Sequence, residues 1–183
     1  EVYRGHVEAW PEIREYLRVQ DFRTLFVYRD LRDAVVSLLY WWEQHSETDN
    51  WPFRYFRELQ SGDERLTFLI EGWPEKPKLP GFPDRVEFPD IATRFSAFQP
   101  WINEQSCLAV RFEELRNPET RDEACRRIIA HLITDSSEMS LESMVNRMIA
   151  GSDSKRSRTF RKGSGGEWRS LFTKDHIEPK VGS

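Results

Sequence analysis

Two stretches of this chain carry residue types that could hold an anion. The first is Tyr28-Arg29-Asp30-Leu31-Arg32-Asp33, followed by Ser37, eight residues past Arg29. A guanidinium at the end of a buried strand, leading into a helix N-terminus, aims a charge, free backbone N–H groups and the helix dipole at one spot. Ser37 would add a hydroxyl donor from the same helix. The alternative is a surface ion cluster in which Arg29 pairs with Asp30 or Asp33. The second stretch is Ser157-Arg158-Thr159-Phe160-Arg161-Lys162-Gly163-Ser164-Gly165-Gly166-Glu167-Trp168. Glycines interleaved with Arg and Lys permit close backbone approach and left-handed turns, the properties of a phosphate-cradling nest. The alternative there is a flexible basic tail or a localisation signal, a common role of short basic runs such as residues 155–162. A third residue, His6, is of the type that serves as a general base, although a lone histidine near a terminus is more commonly a polar surface residue.

The elements that must position these residues follow from periodicity. Residues 10–19 carry Ile13, Tyr16 and Leu17 at helical spacing, with Pro11 suited to a first turn. Thr24-Leu25-Phe26-Val27-Tyr28 is bulky, partly β-branched and flanked by charge, so it predicts a fully buried parallel strand. From Arg32 the period becomes helical, through Ala34, Val35, Leu38, Leu39, Trp41 and Trp42, which makes residues 24–42 the first half of a βα unit. A further helical region spans residues 51–70. Five of the ten prolines fall in residues 74–89, which excludes a regular helix or central strand and predicts a surface lid or an excursion over a pocket. Residues 91–103 read as helix, 107–112 as a second buried strand and 113–118 as a loop. Two helices follow, over 119–132 and 141–150, and residues 151–183 are polar, basic and glycine-bearing. Strands separated by helices point to an α/β fold with a parallel sheet.

Composition narrows the function classes. The 183 residues include 7 Trp and 12 Phe, too much bulky apolar side chain for a disordered tail, and the length suits one domain, residues 1–183. With 27 Lys plus Arg against 31 Asp plus Glu, the net charge of −4 argues against broad nucleic-acid binding. No apolar run approaches the length needed to cross a bilayer, so neither a membrane nor a secreted destination is expected, and the reading is cytoplasmic. Cys107 and Cys125 lie in no C-x-x-C pair and beside no His at ligand spacing, which excludes a disulfide framework and a zinc module.

The order and spacing of these features resemble the sulfotransferases that use 3′-phosphoadenosine 5′-phosphosulfate (PAPS). In that family the first motif looks like R-[DN]-P-[RK]-D-x-x-x-S and the second like R-K-G-x-x-G-D-W-K-x-x-F-T. They are similar here to Arg29 through Ser37 and to Arg161 through Arg169 with Phe172-Thr173. Val110-Arg111-Phe112-Glu113-Glu114-Leu115 is similar to the family's strand ending in Y-E-D-L, and His6 stands about where the family places its catalytic histidine. The resemblance implies a three-layer αβα fold with a central parallel sheet. It implies that Arg29 and Ser37 hold the nucleotide's 3′-phosphate, that Arg161, Lys162 and Gly163 close over the same group, and that Phe112 lines the adenine. His6 would take the proton from a hydroxyl or amine of a small acceptor, with PAPS as sulfuryl donor and no metal.

Departures from the family pattern set further expectations. Leu31 replaces a Pro, Phe112 replaces a Tyr and so loses a hydroxyl, and Glu167 and Arg169 stand for Asp and Lys. Arg169, Thr173 and Glu178 are similar to a dimer segment of some members, with Lys174 in its Val position, so a homodimer is possible by resemblance and weakly supported. The family's P-K-[ST]-G-[ST]-[ST] type loop for the 5′-phosphosulfate has no counterpart, which predicts an N-terminally truncated domain lacking its first βα unit. The alternative to an active sulfotransferase is accordingly a fragment or pseudoenzyme that keeps only the 3′-phosphate half-site. Acceptor-pocket candidates are Trp41, Trp42, Trp51 and the proline-rich stretch, against the plainer reading that these Trp residues pack the core.

Overall fold

Each of the main helices starts where the sequence supplies a cap. Asp30 accepts from the Arg32 N–H ahead of α2 (Leu31–Gln44), Asn117 from the Glu119 N–H ahead of α7 (Pro118–Leu132), and Ser140 from the Ser143 N–H ahead of α8 (Leu141–Gly151). In the computed structural model, which describes residues 5–45, 51–73, 88–133, 139–152 and 165–178, the remaining elements are α1 (Pro11–Val19), β1 (Thr24–Tyr28), α3 (Trp51–Glu58), α4 (Gly62–Glu71), α5 (Ile91–Ser96), a 3-10 turn (Gln99–Asn103), β2 (Cys107–Arg111), α6 (Phe112–Arg116), α9 (Trp168–Leu171) and α10 (Lys174–Ile177). The chain divides into two compact units, Glu1–Arg29 with Ser96–Gly165 and Asp30–Phe95 with Gly166–Ser183.

The first unit is built on the two strands. β1 and β2 pair in parallel and in register from Thr24 opposite Cys107 to Tyr28 opposite Arg111, the two-stranded sheet of the described residues. Val110 is fully buried under Ala124 and Ile128 of α7, with Leu25, Leu108, Leu115 and Met148 around them. A second cluster, Cys125, Ile129 and Val145, packs α7 against α8. Arg23 donates to the carbonyl of His131 at 2.6 Å, and the His131 ring nitrogen Nε2 lies 2.9 Å from the Thr24 carbonyl, so the end of α7 is tied to the start of β1. The strands are less enclosed than their composition predicts. Val27 is 44% exposed, and within β2 only Val110 is fully buried, because helix packs over one part of this small sheet and leaves the rest at the surface.

The second unit has the larger core: Val35, Leu39 and Trp42 of α2, Phe53 and Phe56 of α3, and Leu66, Phe68 and Leu69 of α4. The single helical region expected over 51–70 is two helices. Ser61 breaks it, its hydroxyl accepting from the Glu64 N–H at 3.1 Å while the Glu64 carboxylate accepts from the Ser61 N–H at 3.0 Å. Past α4 the chain turns at Gly72, at φ +75°, where a Cβ would lie 2.2 Å from the Phe88 carbonyl oxygen. The next N–H, of Trp73, donates to that same oxygen at 2.8 Å. The flanks of the proline-rich excursion therefore meet, while residues 74–87 lie outside the described ones.

Two other boundaries differ from expectation. Residues 91–103 divide into α5 and the 3-10 turn, and the expected loop 113–118 is largely the short helix α6. Phe112, expected as the last residue of a strand, is the first of that helix. The Glu114 carboxylate takes the Arg111 N–H at 3.4 Å and the Arg127 guanidinium at 2.9 Å, which fixes the turn from β2 into α6.

Candidate functional site

Because β1 and β2 run parallel and in register, the residues that follow their last pair leave the sheet side by side. Those residues are Arg29 and Phe112. Ligands of open α/β sheets bind at this carboxyl end of the strands. The two are in contact, with the Arg29 guanidinium 5.0 Å from the centre of the Phe112 ring, a cation-π distance, and both are half-buried. A cation beside an aromatic face suits an anionic group attached to a planar ring system. Two residues expected to share a ligand are thus brought together by backbone register alone.

His6 belongs to the same unit and is exposed. The chain just after it is anchored, since the Val7 carbonyl accepts from Trp101 Nε1 at 2.9 Å and the Ala9 N–H donates to the Ala97 carbonyl at 2.8 Å. No hydrogen bond or ring contact joins His6 to Arg29 or Phe112. Arg161, Lys162 and Gly163 lie outside the described residues.

In the second unit Ser37 is exposed in the second turn of α2. The acidic neighbours of Arg29 in sequence have other engagements. Asp30 caps α2 and takes the Arg32 guanidinium at 2.9 Å and 2.5 Å. Asp33 is buried, and both of its oxygens accept from the Gly166 N–H, at 2.9 Å and 2.8 Å. Arg32 in turn lies 3.9 Å over the Trp168 ring, with Arg169 at 4.7 Å from the same ring. Neither of these ties was foreseen from the sequence. A signal for one was present, because Asp33 stands three residues before Val36 on the apolar face of α2, where a carboxylate needs a donor.

Of the acceptor-pocket candidates, Trp42 is core: it is 6% exposed and stacks on Phe53 at 4.1 Å between centroids. Trp41 is 36% exposed, stacked on His45 at 4.9 Å. The Trp51 side chain lies outside the description. Among the described residues no group of three or more His, Cys, Asp and Glu side chains is arranged to hold a metal ion, and no helix is long and apolar enough to cross a membrane.

No protein-family profile and no curated protein sequence matches the chain. Among solved structures, the mouse sulfotransferase SULT7A1, crystallised in complex with PAP, is similar to it with a TM-score of 0.58 at 15% identity, over 88% of this chain. The match covers 57% of the mouse enzyme's chain. At that identity the likeness is one of fold: a helix-rich α/β chain with parallel strands, coarsely like a sulfotransferase.

Proposed function

We propose that this chain transfers a sulfuryl group from PAPS to a hydroxyl or amine of a small acceptor. The observation that carries the reading is the Arg29–Phe112 pair at the carboxyl ends of two parallel strands, in a chain whose fold is similar to that of a PAP-bound sulfotransferase. In this reading the domain is a three-layer αβα sandwich around a parallel sheet. Arg29 and Ser37 hold the 3′-phosphate, Arg161, Lys162 and Gly163 add a charged backbone cradle to it, and the Phe112 ring packs on the adenine. PAPS supplies the activated sulfuryl group. The protein's part is placement and charge: fixed cations and N–H donors stabilise charge that spreads over the transferring group, as they do in phosphoryl transfer. His6 takes the proton released by the attacking hydroxyl or amine, a general-base task that His serves more often than any other side chain.

The test is stabilisation by 3′-phosphoadenosine 5′-phosphate (PAP) set beside 5′-AMP, which lacks the 3′-phosphate. At about a hundredfold over its dissociation constant PAP is expected to add roughly 2.7 kcal/mol, seen as a rise in Tm that AMP does not reproduce. Arg29→Ala is expected to weaken PAP binding by about tenfold or more, the loss of charge-assisted hydrogen bonds to a phosphate. A folded chain whose Tm ignores PAP would overturn the reading.

A further inference from the structure

The Arg29–Phe112 pair lies within the first compact unit, and the turn that places its ring is held from α7. Phe112 follows Arg111, the last residue that β2 pairs with β1, so the direction of its ring is set by how the chain leaves the strand. A single carboxylate oxygen governs that exit. Glu114 Oε2 accepts both the Arg111 N–H at 3.4 Å and the guanidinium of Arg127, 13 residues further along, at 2.9 Å. The far side of the turn is tied as well, since the Glu114 carbonyl accepts from Thr120 Oγ1 at 2.9 Å and Leu115 packs into both clusters of this unit. Arg127 stands next to Ile128, which packs with Ala124 on Val110 of β2. The bridge is therefore anchored on the helix that covers the strand. Both side chains of the ion pair are partly exposed, and at such a place a pair contributes little to overall stability. It does fix direction, and a binding group held by supporting hydrogen bonds loses less freedom when its ligand arrives.

We propose that Glu114 and Arg127 are positioning residues for the Arg29–Phe112 site, holding the Phe112 ring against the Arg29 guanidinium through the bridge from Arg127 to Glu114 Oε2 to the Arg111 N–H. For its ligand the inference rests on the functional reading above, and for its geometry on this one unit.

The place of the ring is read first without ligand. Arg29 lies over the Phe112 face, so the ring current shifts its guanidinium protons upfield, and Phe112→Leu defines their resonance without a ring. In Glu114→Ala the Arg29 Nε–H resonance is expected to move part of the way to that value. Glu114→Gln, whose one amide oxygen can accept both bonds, is expected to stay near wild type. PAP affinity by calorimetry then separates position from charge and from bare stability. Glu114→Ala and Arg127→Met are each expected to weaken PAP binding about fivefold, and their combination no more than the worse of the two, because both break one bridge. In a Phe112→Leu background Glu114→Ala is expected to cost nothing further, since the ring through which it acts is gone. If Glu114 acted only as a negative charge near an anion, Glu114→Ala and Glu114→Gln would both bind PAP more tightly. A purely structural role would lower Tm and leave the affinity of the folded chain unchanged. Should Glu114→Ala fail to fold, Arg127→Met carries both readouts. An unmoved Arg29 resonance, PAP affinity unchanged or raised, or losses that persist without the Phe112 ring would overturn the inference while leaving the function intact. A wild-type chain that does not bind PAP would overturn the function and the nucleotide role of the bridge together.

Discussion

At the scale of single residues, charge in this protein is spent on geometry as much as on ligands. Within Arg29-Asp30-Leu31-Arg32-Asp33, Arg29 faces an aromatic ring, while Asp30, Arg32 and Asp33 serve the backbone and Trp168. Arg29 was legible as a candidate because its place follows from the end of a strand, a local property. The role of Asp33 was not, because its partner enters from the far end of the chain. The cysteines show how enclosure sets chemistry. Burial pushes the Cys107 thiol up to about 11, against a hydrogen bond with the Phe26 backbone that pulls it down, and Cys125 is raised by burial as well. A thiol with a raised pKa keeps its proton in the folded state, so at pH 8 roughly one Cys107 in a thousand is thiolate, given a value of about 11. Neither thiol is expected to react promptly with a disulfide reagent at pH 8, both are expected to do so in denaturant, and the native Cys107 rate should climb about tenfold per pH unit toward pH 10. Prompt labelling of the native chain at pH 8 would contradict this.

At the scale of elements, capping decides more boundaries than hydrophobic periodicity does. The apolar spacing over 51–70 runs on without a break, yet Ser61-Gly62-Asp63-Glu64 is a capping box and the helix restarts there. The Glu64 carboxylate, accepting from the Ser61 and Gln60 N–H groups, is held below the usual carboxylate range. Ser61→Ala removes one acceptor from the orphan N–H groups of α4, at about 1 kcal/mol, and is expected to lower Tm by roughly 2–4 °C. Thermal melts of Ser61→Ala and of Ser61→Thr, which keeps the hydroxyl, separate the cap from other effects. An unchanged Ser61→Ala melt would mean that tertiary packing holds α4 without its cap. The same logic places Phe112: Glu114 turns the chain just after β2 pairs its last residue, so the ring leaves the sheet beside Arg29 rather than within it.

At the scale of the whole molecule, each compact unit has its own apolar core, and the two differ in kind. In the first, aliphatic residues of α7 and α8 cover the sheet around Val110, whereas the second is dominated by Trp and Phe rings on α2, α3 and α4. Leu69, with no exposed surface, lies within that aromatic core. Leu69→Ala is expected to destabilise the protein by about 2–5 kcal/mol, a fall in Tm of roughly 5–15 °C. A fall under about 2 °C would show that the surrounding rings collapse into the space. The fold likeness to the PAP-bound mouse enzyme spans both units, since it extends over 88% of this chain.

The sequence by itself determined what is local. The strand at Thr24–Tyr28, the start of α2, the second strand and the starts of α7 and α8 were all readable, because backbone preference and capping act over a few residues. Arg29 at a strand end and Ser37 on the following helix were readable for the same reason. Tertiary structure alone decided which apolar groups are enclosed: Trp42 became core while adjacent Trp41 stayed at the surface, and β1 was left partly open at Val27. It alone decided the long-range pairs, Arg29 with Phe112 and Asp33 with Gly166. Burial and partnership depend on which segments the chain brings back, and no periodicity within a segment carries that information.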